Sequence, residues 1–244
     1  AVLSRWRKPF AVHDPGKIVC DLAITLALGG DCLADAALLR SEPSVFGRVA
    51  SDPTVSRLIS LLASDAPAAL AAINQARAAA RARAWRLAGK HAPSHQVDVA
   101  HPLVIDVDAT LVTAHSDKEN ARATFKKGYG FHPLCVFVDH GPEGTGEPLA
   151  ILLRPGNAGS NTAADHITVL QDAFAQLPGV PDHRPGKRVL VRVDGAGHSH
   201  RLLDWLTGQR VQYSIGFTLP GDAGPLIEKI PQEVWQPAYD ADGE

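Results

Sequence analysis

Leu103-Val104-Ile105-Asp106-Val107-Asp108-Ala109-Thr110 begins as a run of branched apolar residues and closes on acids. A short β-branched run of this kind predicts a buried strand. Alternation along a strand puts Asp106, Asp108 and Thr110 on one side of it. A second such run, Arg188-Val189-Leu190-Val191-Arg192-Val193, ends on Asp194-Gly195. Between the two lie strand-like runs at residues 134–138 and 147–153, joined by a Gly-rich turn, and then an amphipathic helix over 161–177 with Ile167, Leu170 and Phe174 on one face. A helix over 198–207 and a strand over 211–215 follow. The order β-β-β-α-β-α-β predicts an α/β fold, an antiparallel meander continued by α/β crossovers.

Upstream of residue 98 the texture is helical. Residues 15–28 carry apolar residues at helical spacing and stop at Gly29-Gly30. Asp31 is placed to cap a second helix reaching Leu39. Ser51-Asp52-Pro53 starts a third. An Ala/Arg-rich helix then runs from Asp65 or Pro67 to near Gly89. The expected division is therefore a helical region, residues 1–97, and an α/β core, residues 98–244. With Thr54, Ser56 and Arg57 at the start of the third helix, the first region fits a DNA-binding helix-turn-helix. It fits equally a small helical bundle that touches no nucleic acid. No element can be assigned after Phe217.

Composition bounds the classes. The chain has 244 residues, 45% hydrophobic and 20% charged, with a net charge of −2. That predicts a soluble globular chain of one large domain or two modest ones, and excludes disorder. No apolar run approaches the roughly 18 residues of a membrane span. Cys20, Cys32 and Cys135 make neither a disulfide scaffold nor a zinc set, which fits a reducing, cytoplasmic setting. The sequence has no methionine, and its opening residues show no signal-peptide pattern, so a fragment or a processed start is expected. Charge is uneven: residues 1–100 hold 12 Lys and Arg against 8 Asp and Glu, residues 101–244 hold 12 against 18. Arg77, Arg81, Arg83, Arg86 and Lys90 fall in a stretch, 67–97, that has no acid. Such a stretch suits a polyanion partner or a solvated helix face.

Asp108 and Asp194 stand out because catalytic groups of α/β sheets gather beyond the carboxyl ends of strands. Two carboxylates on neighbouring strand ends repel unless a cation lies between them. A divalent metal is the simple answer, and Mg²⁺ prefers carboxylate oxygens and keeps waters for substrate phosphate. Asp106 is the alternative first ligand, or a residue that supports the ligands from behind. Each aspartate alone reads first as a turn former, and it is the pair within this topology that turns the reading to a metal site. Lys126-Lys127 lies in a basic, aromatic loop that suits a nucleic-acid backbone and a stacked base. Arg154 follows the third strand of the core, where its planar fork suits phosphate. His198-Ser199-His200 lacks matching ligands and reads as a helix start. The Gly141 to Gly146 turn is not a dinucleotide fingerprint, and Pro185-Gly186-Lys187-Arg188 is not a P-loop.

Four ordered motifs resemble the DDE transposases of bacterial insertion sequences. They are Asp106-Val107-Asp108-Ala109-Thr110-Leu111-Val112, Lys127-Gly128-Tyr129-Gly130-Phe131-His132-Pro133, Leu153-Arg154-Pro155-Gly156-Asn157 and Arg192-Val193-Asp194-Gly195-Ala196-Gly197. Arg5-Trp6-Arg7-Lys8-Pro9-Phe10, Ala27-Leu28-Gly29-Gly30-Asp31 and the segment from Ser51 to Arg57 are similar to the region preceding the core in that family. The resemblance thus covers nearly the whole chain.

The resemblance implies an RNase H-like core, with Asp108 and Asp194 as the first two catalytic acids. It implies Mg²⁺ or Mn²⁺ as cofactor, two ions in a complete site, about 3.5–4 Å apart. Its partners are double-stranded DNA, as transposon ends and target, and a second copy of the chain as a homodimer. Its activity is cleavage at the transposon end followed by strand transfer into target DNA. Its setting is the nucleoid. DNA contacts are expected at Arg57, Arg77, Arg81, Arg83, Lys126, Lys127 and Arg154. The third acid of the family is a Glu on a later helix. Glu228, Glu233 and Glu244 do not match its Arg-rich context, so the third acid is expected beyond Glu244. The alternative is a truncated remnant, inactive, that only binds DNA or the full-length enzyme.

Overall fold

The computed structural model describes residues 2–141, 144, 146–159, 162–180 and 184–237, with only the backbone of Ala196. Glu244 lies outside the described residues. Two compact units form: Ala1–His95 with Asp172–His183, and Gln96–Gln171 with Arg184–Glu244.

In the first unit, α1 (Pro15–Ala27) begins at Asp14, whose carboxylate accepts from the Gly16 and Lys17 amides, with Pro15 in the first turn. The helix expected to follow from Asp31 is a shorter affair. A 3₁₀ turn, Leu33–Ala36, leads into the single turn α2 (Ala37–Arg40). Its cap is Cys32 rather than Asp31, because the Asp35 carboxylate reaches back to the Asp31 and Cys32 amides, each at 2.9 Å. A further single turn, α3 (Pro43–Phe46), stands before α4 (Asp52–Ala63). That connection is longer than the three- or four-residue turn of a helix-turn-helix, so the expected motif is not formed in its usual shape. The Ala/Arg-rich helix is α5 (Ala66–Ala88), broken from α4 by a bend of 107°.

Two apolar clusters hold this unit: Ile18, Ala50, Val55 and Leu58, and Leu3, Trp6 and Ala69. Polar contacts join the 172–183 segment to α5. Arg81 Nη1 donates to Gln176 Oε1 at 2.9 Å, and Gln176 Nε2 donates to the Asn74 carbonyl at 3.1 Å.

In the second unit, β1 (Leu103–Ala109) is followed by three very short strands, β2 (Val112–Thr113), β3 (Arg122–Ala123) and β4 (Tyr129–Phe131). Then come β5 (Leu134–Val138), β6 (Glu147–Leu152), α6 (Ala163–Ala175), β7 (Val189–Val193), α7 (His200–Gln209) and β8 (Gln212–Ile215). The main sheet has the order β6-β5-β1-β7-β8. β6, β5 and β1 pair antiparallel, whereas β1, β7 and β8 pair parallel. This mixed sheet gives an α/β fold with the strand arrangement of an RNase H-like core. Ile105, Val107, Val136, Val138, Val191 and Val193 form its buried face. Val169, Leu170, Leu202 and Leu206 of the helices are fully buried as well. Each such side chain contributes about 1.5–3 kcal/mol by leaving water. The opposite face carries Asp106, Asp108 and Arg192, all at least partly exposed.

The small sheet, order β2-β4-β3, was not expected from a segment read as a loop. After β8 the chain turns through α8 (Ala223–Ile227) and a 3₁₀ turn at Gln232–Val234. No helix among the described residues is long and apolar enough to cross a membrane.

Candidate active site at the ends of the central strands

Asp108 occupies the penultimate position of β1, and Asp194 directly follows β7. The two strands are hydrogen-bonded neighbours at the middle of the sheet, and their register pairs Val107 with Val193. Each aspartate is therefore one residue beyond the same matched pair, on two chains running in the same direction. That parallelism is what brings residues so distant in sequence to one edge. Both side chains are exposed. Asp108 Oδ1 accepts from the Ala109 amide at 2.8 Å. Its Oδ2 has no hydrogen-bond or ion-pair partner among the described residues.

Asp106 shares the face of Asp108 but is otherwise engaged. Arg192, its register partner on β7, donates Nε to Asp106 Oδ1 at 2.6 Å and Nη2 to Oδ2 at 2.8 Å. The same Nη2 reaches Asp139 Oδ2 at 2.8 Å, just past the end of β5. Hydrogen bonding to Asp106 raises the Arg192 pKa, burial opposes it, and the negative charges of both carboxylates and the bond to Asp139 add to the rise. Asp106 is thus half of an ion pair rather than a free metal ligand. Arg192 lies two residues before Asp194, and its role was signalled in the sequence only by that spacing.

Cys135, directly opposite Asp108 on β5, is buried. Burial, then the Asp108 charge, pushes its thiol up, while Arg154 works the other way. That environment keeps it a protonated, inert thiol.

Two residues expected on DNA lie inside the protein. Arg154 is 3% exposed, because its guanidinium ties the small sheet to α6. Nε donates to the His132 carbonyl at 2.9 Å, and Nη1 to the Gly159 carbonyl at 3.1 Å and Asp165 Oδ2 at 3.3 Å. Arg81 is 7% exposed and committed to Gln176. Neither can present a phosphate fork at the surface. Arg57 and Arg83 are exposed, and Arg77 is partly buried beside Asn74. Lys126 and Lys127 are exposed at the turn between β3 and β4, where Lys126 Nζ lies 5.7 Å from the centre of the exposed Phe125 ring.

Arg57 also borders a cleft of about 110 Å³ that the sequence did not reveal, together with Trp6, Arg7, Lys8, His13 and Leu58. Arg7, Lys8 and Arg57 have no acidic partner among the described residues. The cue in the sequence was the basic Arg5-Trp6-Arg7-Lys8 run, whose distance from Arg57 along the chain hid the cluster.

His198 and His200 lie at the start of α7, which Ser199 caps by accepting from the Leu202 amide at 3.3 Å. The helix-start reading of this segment agrees. Asp31, Cys32 and Asp35 place ligand atoms within 4.8 Å of one another. Their contacts are those of the capping box, whose backbone amides, Cys32 first, lower the Asp35 pKa.

An RNase H-like sheet with aspartates at the ends of its two central parallel strands is consistent with a DDE-type domain. The sequence itself matches the family described as transposase DDE domain, group 1, over residues 1–243. The chain belongs to that family. It is accordingly a transposase-type domain whose relatives act on DNA and generally use divalent metal ions. No curated protein and no solved structure matches the chain.

Proposed function

We propose that this chain supplies the first two acids of a DNA transposase that cleaves transposon ends and transfers the resulting strand into target DNA. The observation that carries the reading is the register of β1 with β7, which lines up Asp108 and Asp194 at one sheet edge. Exposed carboxylate oxygens, one of them on Asp108 uncommitted, suit a hard divalent cation such as Mg²⁺ or Mn²⁺. Asp108 and Asp194 would hold the metal, with a third acid coming from chain outside residues 1–244. When bound, divalent ions supply an activated attacking oxygen and neutralise charge on the phosphoryl group.

The protein's own part is positioning. Asp108 is fixed by the Ala109 amide on the central strand. Asp194 is held where β7 turns into the Gly195–Gly197 3₁₀ turn. Because the β1 and β7 ends face solvent, a DNA backbone can approach them directly. Arg7, Lys8, Arg57, Arg77 and Arg83 would hold DNA through the first unit, and Lys126 and Lys127 through the second. Arg81 and Arg154 are no longer in that set. A homodimer that pairs two DNA ends belongs to the same proposal.

The test is cleavage of transposon-end DNA by the chain, extended as needed to include the third acid, with Mg²⁺ or Mn²⁺. Asp108→Ala and Asp194→Ala should each reduce cleavage to background while leaving the far-UV spectrum and melting temperature unchanged, since both side chains are exposed. Undiminished cleavage in either variant would falsify the assignment. DNA binding without cleavage by the extended wild type would favour a remnant that only binds.

A further inference from the structure

Asp108 and Asp194 lie at the carboxyl ends of the parallel strands β1 and β7, while Asp106, on the open face behind Asp108, lies toward Asp139, which follows the antiparallel β5 and sits beside Val104. Asp106 sits two residues behind Asp108 on the same face, about 7 Å back along the strand. An ion attracted there would lie inward of the place where chemistry on a phosphodiester has to occur.

We propose that Arg192 is a positioning residue: by clasping Asp106 and Asp139 it withholds both from divalent cations, leaving Asp108 and Asp194 to set where the ions bind. The inference rests on the reading of Asp108 and Asp194 as metal ligands. Both Asp106 oxygens are taken by Arg192, at 2.6 and 2.8 Å. Both Asp139 oxygens are taken too, Oδ2 by Arg192 at 2.8 Å and Oδ1 by the Gly141 amide at 2.7 Å. A guanidinium suits this task because it stays charged throughout the working pH range and its fork matches a carboxylate edge. The clasp also spans three adjacent strands, since Asp139 follows β5, Asp106 lies on β1 and Arg192 on β7. The side chain that neutralises the inner acids thus also bridges the two strands whose pairing aligns the outer ones.

The experiment is Mn²⁺ binding to the metal-stripped full chain, read as free Mn²⁺ by electron paramagnetic resonance, without DNA or turnover. Asp106→Asn should leave Mn²⁺ affinity and stoichiometry as in the wild type, because Asp106 is already withheld. Arg192→Gln should bind Mn²⁺ about tenfold more tightly or take up an additional ion, since two carboxylates are released. That gain should persist with Asp108→Ala and vanish when Asp106→Asn is combined with it. Arg192→Lys, which keeps the charge but not the fork, should show a smaller gain. Weaker Mn²⁺ binding in Asp106→Asn overturns the proposal, and so does unchanged binding in a folded Arg192→Gln. Should Arg192→Gln fail to fold, the Asp106→Asn result decides alone. Wild-type binding that is indifferent to both Asp108→Ala and Asp194→Ala overturns the ligand reading underneath instead.

Discussion

Arg154 spends its guanidinium on two carbonyl oxygens and one carboxylate inside the protein. Truncating it leaves the buried His132 carbonyl without its donor, while Asp165, 31% exposed, can turn to water, a loss of about 1–3 kcal/mol. Arg154→Ala should therefore lower the urea midpoint of the chain markedly, and Arg154→Lys should recover only part, lacking the fork. A variant with wild-type stability and weakened DNA binding would restore Arg154 to the surface role. Burial is what the sequence could not convey here, because an arginine after a strand is ordinarily exposed. Asp108 and Asp194 were legible for a complementary reason: alternation and strand-end position are written in the order of residues. Cys135 makes a further residue-level test. With its thiol buried and pushed up, it should resist maleimide in the native chain, whereas the exposed Cys20 and Cys32 should react at once.

At the scale of elements, the long ones were legible and the short ones were not. The strands at β1, β5, β6 and β7 each carry enough apolar residues for a period to emerge, and α5 carries enough alanine. The strands of the small sheet are two or three residues long, and their pairing depends on glycines rather than on a pattern. A Cβ at Gly130 would strike the Val112 carbonyl oxygen, and one at Gly156 the carbonyls of Arg122 and Gly130. Gly130→Ala should separate β2 from β4 and leave the main sheet intact. Hydrogen exchange should then accelerate at the Ala114 and Thr124 amides, which bond to Tyr129 and Gly128, and not at β1 or β7. Protection unchanged at both amides would contradict this account. The Asp31 cap failed for a related reason: Asp35 reaches back to the Asp31 and Cys32 amides and places the cap one residue later, a contact that periodicity does not show.

Across the whole molecule, the change from helical to alternating texture near residue 98 lies close to the boundary between His95 and Gln96. The sequence could not show that residues 172–183 group with the helical unit, because that depends on Gln176 meeting α5. The uneven charge was readable as a total, but only the fold separates exposed Arg57 and Arg83 from buried Arg81. DNA affinity of the chain should fall steeply with salt. Replacing Arg7, Lys8, Arg57 or Arg83 by Ala should reduce the slope of log affinity against log salt by about 1 for each phosphate that the side chain had neutralised. Arg81→Ala should instead lower stability, and an unchanged slope in all four surface variants would remove the first unit from the DNA interface.

The parallel pairing of β1 with β7 has a consequence in time as well as in space. Asp106 and Arg192 are 86 residues apart along the chain, so their strands meet only after a long loop has closed. Such non-local pairings form late, since their entropy is spent before any contact rewards it. A partly made chain carries every residue up to Asp108 and still has no paired acids. The two acids therefore come side by side only when β7, late in the chain, has joined the sheet.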